Sequence, residues 1–106
     1  ALTENYVMTQ LKTMGIDSYF WRTKADAEID FITDYEGILL PIEVKSADNT
    51  KAKSLHLFCN RYHPKLAVKT SLKNVGDNMD GDTHVWSIPL YCIFRLKEYV
   101  THEMGW

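Results

Sequence analysis

EIDFITDYEGILLPIEVK, Glu28 to Lys45, decides how this chain folds. Apolar and polar residues alternate up to Asp34, and a second apolar run begins at Ile38. Between them Glu36-Gly37 is a two-residue hairpin signal, since glycine accepts the positive φ that such turns need. The stretch predicts two antiparallel strands, Ala27 to Asp34 and Ile38 to Lys45. Closing the turn on Glu36-Gly37 fixes their register. Ile29 then faces Val44, Phe31 faces Ile42 and Thr33 faces Leu40, an apolar face suited to a core. The other face sets Asp30 across from Glu43 and Glu28 across from Lys45.

Directly paired side chains have Cβ atoms about 5 Å apart. Two carboxylates at that separation repel by about 3–4 kcal/mol at an effective dielectric near 20. Water can screen the repulsion, one proton can be shared, or a cation can sit between the oxygens. Two carboxylates plus waters suit Mg²⁺. Lys45 shares a face with Glu43, so its ammonium could neutralise phosphate charge or orient a water there. The plainer alternative is an exposed strand face with a Glu28–Lys45 ion pair, worth about a few tenths of a kcal/mol. The spacing leaves both open.

Outward from the hairpin, SYFWR (Ser18 to Arg22) reads as a further strand. Before it, Val7, Leu11 and Met14 follow helical spacing from Leu2 to Met14, with Thr3 as N-cap and Gly15 as the stop. Glu4 lies three residues before Val7 and seven before Leu11, so it points along the buried stripe. A carboxylate favoured at a helix N-terminus explains it equally well. After the hairpin, Thr50 to Lys53 opens a second helix with Ala52, Leu55, Cys59 and Tyr62 on its apolar face. Pro64 ends it. Lys65 to Thr70 and His84 to Ile88 read as strands. Asn74 to Asp82 reads as a loop in which Asp77, Asp80 and Asp82 form a solvated turn. Leu90 to about Tyr99 reads as a helix. The order is an α/β sandwich around a mixed sheet.

The chain has 106 residues, which fits one domain. No apolar run reaches a membrane span, and a cytoplasmic setting is expected. Cys59 and Cys92 read as reduced core thiols. His56, His63, His84 and His102 lack zinc-ligand spacing, no nucleophile has a recognisable base, and no phosphate-binding loop of the G-x-x-x-x-G-K-[ST] type occurs. The net charge of −2 speaks weakly against a general nucleic-acid binder. Its distribution is uneven. Residues 45 to 73 hold seven of the twelve basic residues and only Asp48 of the fourteen acidic ones. This basic half begins at Lys45, so it is either a solvated face or part of the same surface as the carboxylates.

Four stretches carry a family resemblance: ENYV from Glu4, YFWRTKADAEIDFI from Tyr19, PIEVKSADNTKAKSL from Pro41 and SIPLY from Ser87. On these the sequence resembles the PD-(D/E)XK nuclease superfamily. More closely, it resembles the uncharacterised C-terminal domain of prokaryotic AAA-type ATPases. The resemblance implies a restriction-endonuclease-like core of α-β-β-β-α-β order, a mixed central sheet flanked by helices. It implies a single nuclease-like domain over residues 1–106, the C-terminal part of a longer ATPase chain. It also implies Glu4, Asp30, Glu43 and Lys45 as catalytic residues, with Asp30 and Glu43 holding Mg²⁺ or Mn²⁺. DNA is the expected substrate, with Lys51, Lys53 and Arg61 on its phosphates, and the ATPase domain is the expected partner. A nuclease-like module that binds DNA or protein without cutting is the alternative.

Overall fold

The hairpin forms as its sequence dictates. In the computed structural model, which describes residues 2–24, 28–44, 52–71 and 76–106 without the side chains of Leu2, Thr3, Asp30, Ala52, Lys53 and Ser71, strands β2 (Glu28–Tyr35) and β3 (Ile38–Val44) run antiparallel. Glu36 and Gly37 take φ of 53° and 79°, the paired positive values of a type I′ turn. Phe31 pairs with Ile42, Thr33 with Leu40 and Tyr35 with Ile38, the expected register.

β1 (Ser18–Arg22) adds to β2 antiparallel. β3 continues through α2 (Ala52–Tyr62) into β4 (Leu66–Ser71), which lies parallel beside it. A helical crossover is what parallel neighbours require. β5 (Gly76–Asp80) and β6 (Thr83–Pro89) complete a six-stranded sheet of order β1-β2-β3-β4-β6-β5. α1 (Leu2–Thr13) opens the described chain. A 3₁₀ segment (Leu90–Arg95) and α3 (Leu96–Met104) close it. Helices thus cover both faces of a mixed sheet, as expected.

Two apolar clusters hold the layers. Val7 and Leu11 of α1, Ile93 of the 3₁₀ segment, and Leu96 and Val100 of α3 pack on Phe31, Leu40, Ile42, Val44, Leu66, Val68 and Ile88. Leu55, Phe58 and Cys59 of α2 pack on Ile29, Ile32, Ala67 and Val85 from the other side. α1 ends on Gly15 at φ 72°, where Gly15 N–H bonds Lys12 O at 3.0 Å and Ile16 N–H bonds Leu11 O at 2.9 Å. Both bonds satisfy carbonyls that a helix end otherwise orphans. Among the described residues no helix is long and apolar enough to cross a membrane.

Five local expectations are corrected. Ile29 does not join Phe31 on one face; it packs with Ile32 against α2. The cause is a bulge. Tyr19 pairs with Ile32 and Trp21 with Ile29, so Asp30 and Phe31 together oppose the one residue Phe20. Thr3 is already helical rather than a cap. Tyr62, expected on the buried face of α2, is 44% exposed. Gly76 to Asp80 is a strand, not a loop: it pairs with β6 across a turn in which Gly81 takes φ 59°. The tail divides into a 3₁₀ segment and an α-helix because Leu96 and Val100, four apart, form the buried stripe, whereas Leu90 to Arg95 buries only Ile93.

Candidate functional site

Alternation along β3 decides where Glu43 points. Ile42 and Val44 are buried on the α1 and α3 side, so Glu43 turns to the α2 side. There it is only 4% exposed, and its Oε1 is shut off from solvent. A carboxylate buried this far needs compensation from charge or hydrogen bonds.

A positive charge stands level with it on β4. Glu43 is the register partner of Lys69 in the parallel pairing. Ala67 packs under α2, so Lys69, two residues on, shares that face. Adjacent strands are about 4.8 Å apart, so the two side chains leave the sheet from neighbouring positions of one face. Cys59, projecting from α2, feels both. Burial pushes its thiol up, a hydrogen bond with Thr83 lowers it, and the charges of Asp80, Lys69 and Glu43 act more weakly. Such a thiol is a packing residue rather than a nucleophile, which agrees with the reduced core thiol expected there.

The other expected site residues are distributed as follows. Glu4 stands in the first turn of α1, partly buried, with Oε2 enclosed. Its helix packs on β3 from the face that Ile42 and Val44 line. It therefore approaches β3 from the layer opposite α2. Asp30 lies in β2 at the bulge, one residue beyond the observed pairing with β3; its side chain lies outside the described atoms. Lys45 and Lys51 lie outside the described residues, as does the side chain of Lys53. Arg61 is exposed at the end of α2, with its guanidinium 5.4 Å from the Tyr62 ring centre. Glu28 bonds Arg22 at 3.3 Å. Among the described residues, no group of three His, Cys, Asp or Glu side chains is placed to hold a metal ion.

The sequence does not single out Lys69. Its only signal is its place in Lys65 to Thr70, where Leu66, Val68 and Thr70 alternate with Ala67 and Lys69. A half-buried lysine on an inner strand differs from the solvated basic residues around it.

The structure also assembles histidines with carboxylates. His84 Nε2 lies 2.7 Å from Asp77 Oδ2 of β5, and its Nδ1 meets Glu103 Oε1 of α3. Trp86 Nε1–H donates to the second oxygen of Glu103 at 3.2 Å. His56 of α2 lies 2.9 Å from both carboxylate oxygens of Asp80. Asp77 and Asp80 are thus strand residues with partners, not members of a solvated turn.

The hydrogen bonds to Glu103 and then Asp77 raise the His84 pKa, outweighing burial. A pKa raised on folding adds stability that is complete below the unfolded value, about 6.5. That stability is lost as pH rises through the folded value. The melting temperature of the parent should therefore exceed that of His84→Gln most below pH of about 6.5, with the gap narrowing in more alkaline buffer. Melting curves of both proteins across pH check this. An unchanging gap would mean that His84 holds its partners as the neutral imidazole.

A family model described as a domain of unknown function, DUF4143, matches residues 1–93. No curated protein and no solved structure matches the chain.

Proposed function

This chain belongs to the DUF4143 family, and from that premise we propose that it is a metal-dependent nuclease domain acting on DNA phosphodiesters. The observation that carries the reading is Glu43, a carboxylate buried to 4% exposure in an inner strand, with Lys69 as its register partner. Burying a carboxylate this way is costly for folding alone. The PD-(D/E)XK resemblance of the surrounding EIDF and PIEVKS segments supplies a use for it.

The donor chemistry fits Mg²⁺ or Mn²⁺. Asp30 and Glu43 would supply hard carboxylate oxygens, which these ions prefer. When bound, such an ion polarises a phosphoryl oxygen and makes water a stronger nucleophile. Lys45 would neutralise charge that builds on the phosphate, and Glu4 would complete the oxygen set or orient the attacking water. Lys51, Lys53 and Arg61 would hold the DNA backbone. The AAA-type ATPase domain implied by the same resemblance would act as partner in the same chain, in the cytoplasm.

A second reading has its own observation. Lys69, level with Glu43 in the parallel register, places a positive charge on the same face without any metal, as a nuclease-like module that binds DNA or protein without cutting would retain. Calorimetry separates the two. The parent should bind Mg²⁺ or Mn²⁺, and Asp30→Asn should abolish that binding without unfolding the chain. If the parent takes up neither ion at millimolar concentration, with or without DNA, the non-cutting module is the better account.

A further inference from the structure

β1 is an edge strand, yet its side chains are unusually apolar for an edge. Tyr19 is 63% exposed and Phe20 is 54% exposed. Tyr62, at the end of α2, is 44% exposed. Buried neighbours hold part of this surface rigid. Trp21 meets Phe58 edge-on at 5.1 Å and Tyr62 at 6.2 Å, and Phe58 and Tyr62 lie 4.7 Å apart. Alternation along β1 puts Tyr19 on the α2 side with Trp21, and Phe20 with Arg22 on the other side of the edge, so the rings flank the edge on both sides. A guanidinium lies beside a ring on each side. Arg22 sits 5.1 Å from the centre of Phe20, and Arg61 sits 5.4 Å from that of Tyr62. Arg22 also pairs with Glu28, but both side chains reach solvent, so the pair holds the guanidinium only weakly.

We propose that this edge, formed by β1 and the last turn of α2, is a stacking surface for single-stranded nucleic acid. Exposed rings beside guanidiniums match a flexible strand on both of its chemistries. Bases stack on the rings, and phosphates pair with the arginines. A duplex keeps its bases stacked on one another and cannot use the rings. A peptide strand adding to the sheet edge fits less well. β1 has five residues and pairs with a bulged strand, and short edges and bulges both discourage strand addition. Nor would an apolar peptide strand use the arginines.

The surface also lies near the candidate carboxylates. β2, which carries Asp30, separates β1 from β3, which carries Glu43. Two strand spacings amount to about 10 Å, so a strand seated on the rings passes within a few nucleotides of the carboxylates. The inference rests on the nucleic-acid reading above and narrows its substrate to single strands.

The test is fluorescence anisotropy of labelled oligothymidine of about 20 nucleotides, beside a duplex of equal length, in EDTA so that no metal contributes. The chain should bind the oligothymidine more tightly than the duplex. The paired change Tyr19→Ala with Tyr62→Ala should weaken oligothymidine binding by about 10-fold or more, with little effect on the duplex. Melting curves confirm that the variant is folded; should it unfold, Tyr19→Ala alone, which removes an exposed ring on the same side and leaves the Trp21, Phe58 and Tyr62 contacts in place, provides the same reading. Equal affinity for both nucleic acids, or wild-type affinity in the folded variants, overturns the proposal. So does sedimentation showing that the rings join two copies of the chain. Mg²⁺ calorimetry without DNA reads the metal site independently. Ring-dependent oligothymidine binding with no metal uptake would keep this surface and discard the nuclease, and metal-dependent duplex cleavage without ring dependence would do the opposite.

Discussion

Ile42→Ala should destabilise the chain by about 2–5 kcal/mol, the usual cost of cutting a buried isoleucine to alanine. Ile42 is fully buried at the centre of the sheet. It pairs with Phe31 on one side and Val68 on the other, and it packs in the cluster that joins α1 and α3 to the sheet. No neighbour can collapse into the space without moving a strand, so the cavity term stays large. Against a total stability of about 5–15 kcal/mol, this is a large fraction. Leu39, three residues earlier, is 39% exposed. Leu39→Ala should cost clearly less, since more than a third of its area stays in water and an exposed site leaves no closed cavity. Denaturant unfolding of both variants measures the contrast. Equal losses would mean that β3 does not present its even-numbered residues to the α1 side, and the orientation assigned to Glu43 would fall with it.

That orientation is legible in the sequence because it depends on local chemistry. The Glu36-Gly37 turn needs two positive φ values, and a two-residue turn leaves one register. The helices are legible for the same reason, from their apolar spacing and from Gly15. What stays hidden depends on partners distant in sequence. The bulge at Asp30 and Phe31 appears only against β1, where two residues must oppose one. β5 buries no apolar side chain, so no periodicity announces it. Its strand form comes from pairing with β6, and its Asp77 and Asp80 are held by His84 and His56, far along the chain or on another element. Lys69 stands level with Glu43 only because a helical crossover sets the parallel register. The candidate site is therefore legible as residue types, Glu4, Asp30, Glu43 and Lys45, but not as a neighbourhood.

The neighbourhood turns the pairing of Glu43 with a cation into a choice between two lysines. Lys45 follows Glu43 by two residues in the sequence, whereas Lys69 stands level with it on β4. If Lys69 balances the buried charge of Glu43, Lys45 is left to serve the phosphate. Lys45→Ala should then change stability by under about 1 kcal/mol, as for a charge outside the core. It should lower DNA cleavage by about 10²-fold or more, as removal of one electrostatic group at a reacting oxygen does. Lys69→Ala should behave differently. It removes the positive charge level with a buried carboxylate; breaking a fully enclosed pair costs about 3–5 kcal/mol, and less is expected here because Lys69 is half-buried and stands beside Glu43 in register rather than bonded to it. Melting curves and cleavage assays on the two variants, run in Mg²⁺ and in Mn²⁺, test the assignment. If Lys45→Ala unfolds the chain while Lys69→Ala abolishes cleavage from a stable fold, the roles are exchanged, and the lysine that serves the phosphate lies on β4. If neither change affects cleavage by a parent that does cut, both lysines belong to the scaffold, and the charge at the phosphate must come from elsewhere in the basic half of the chain.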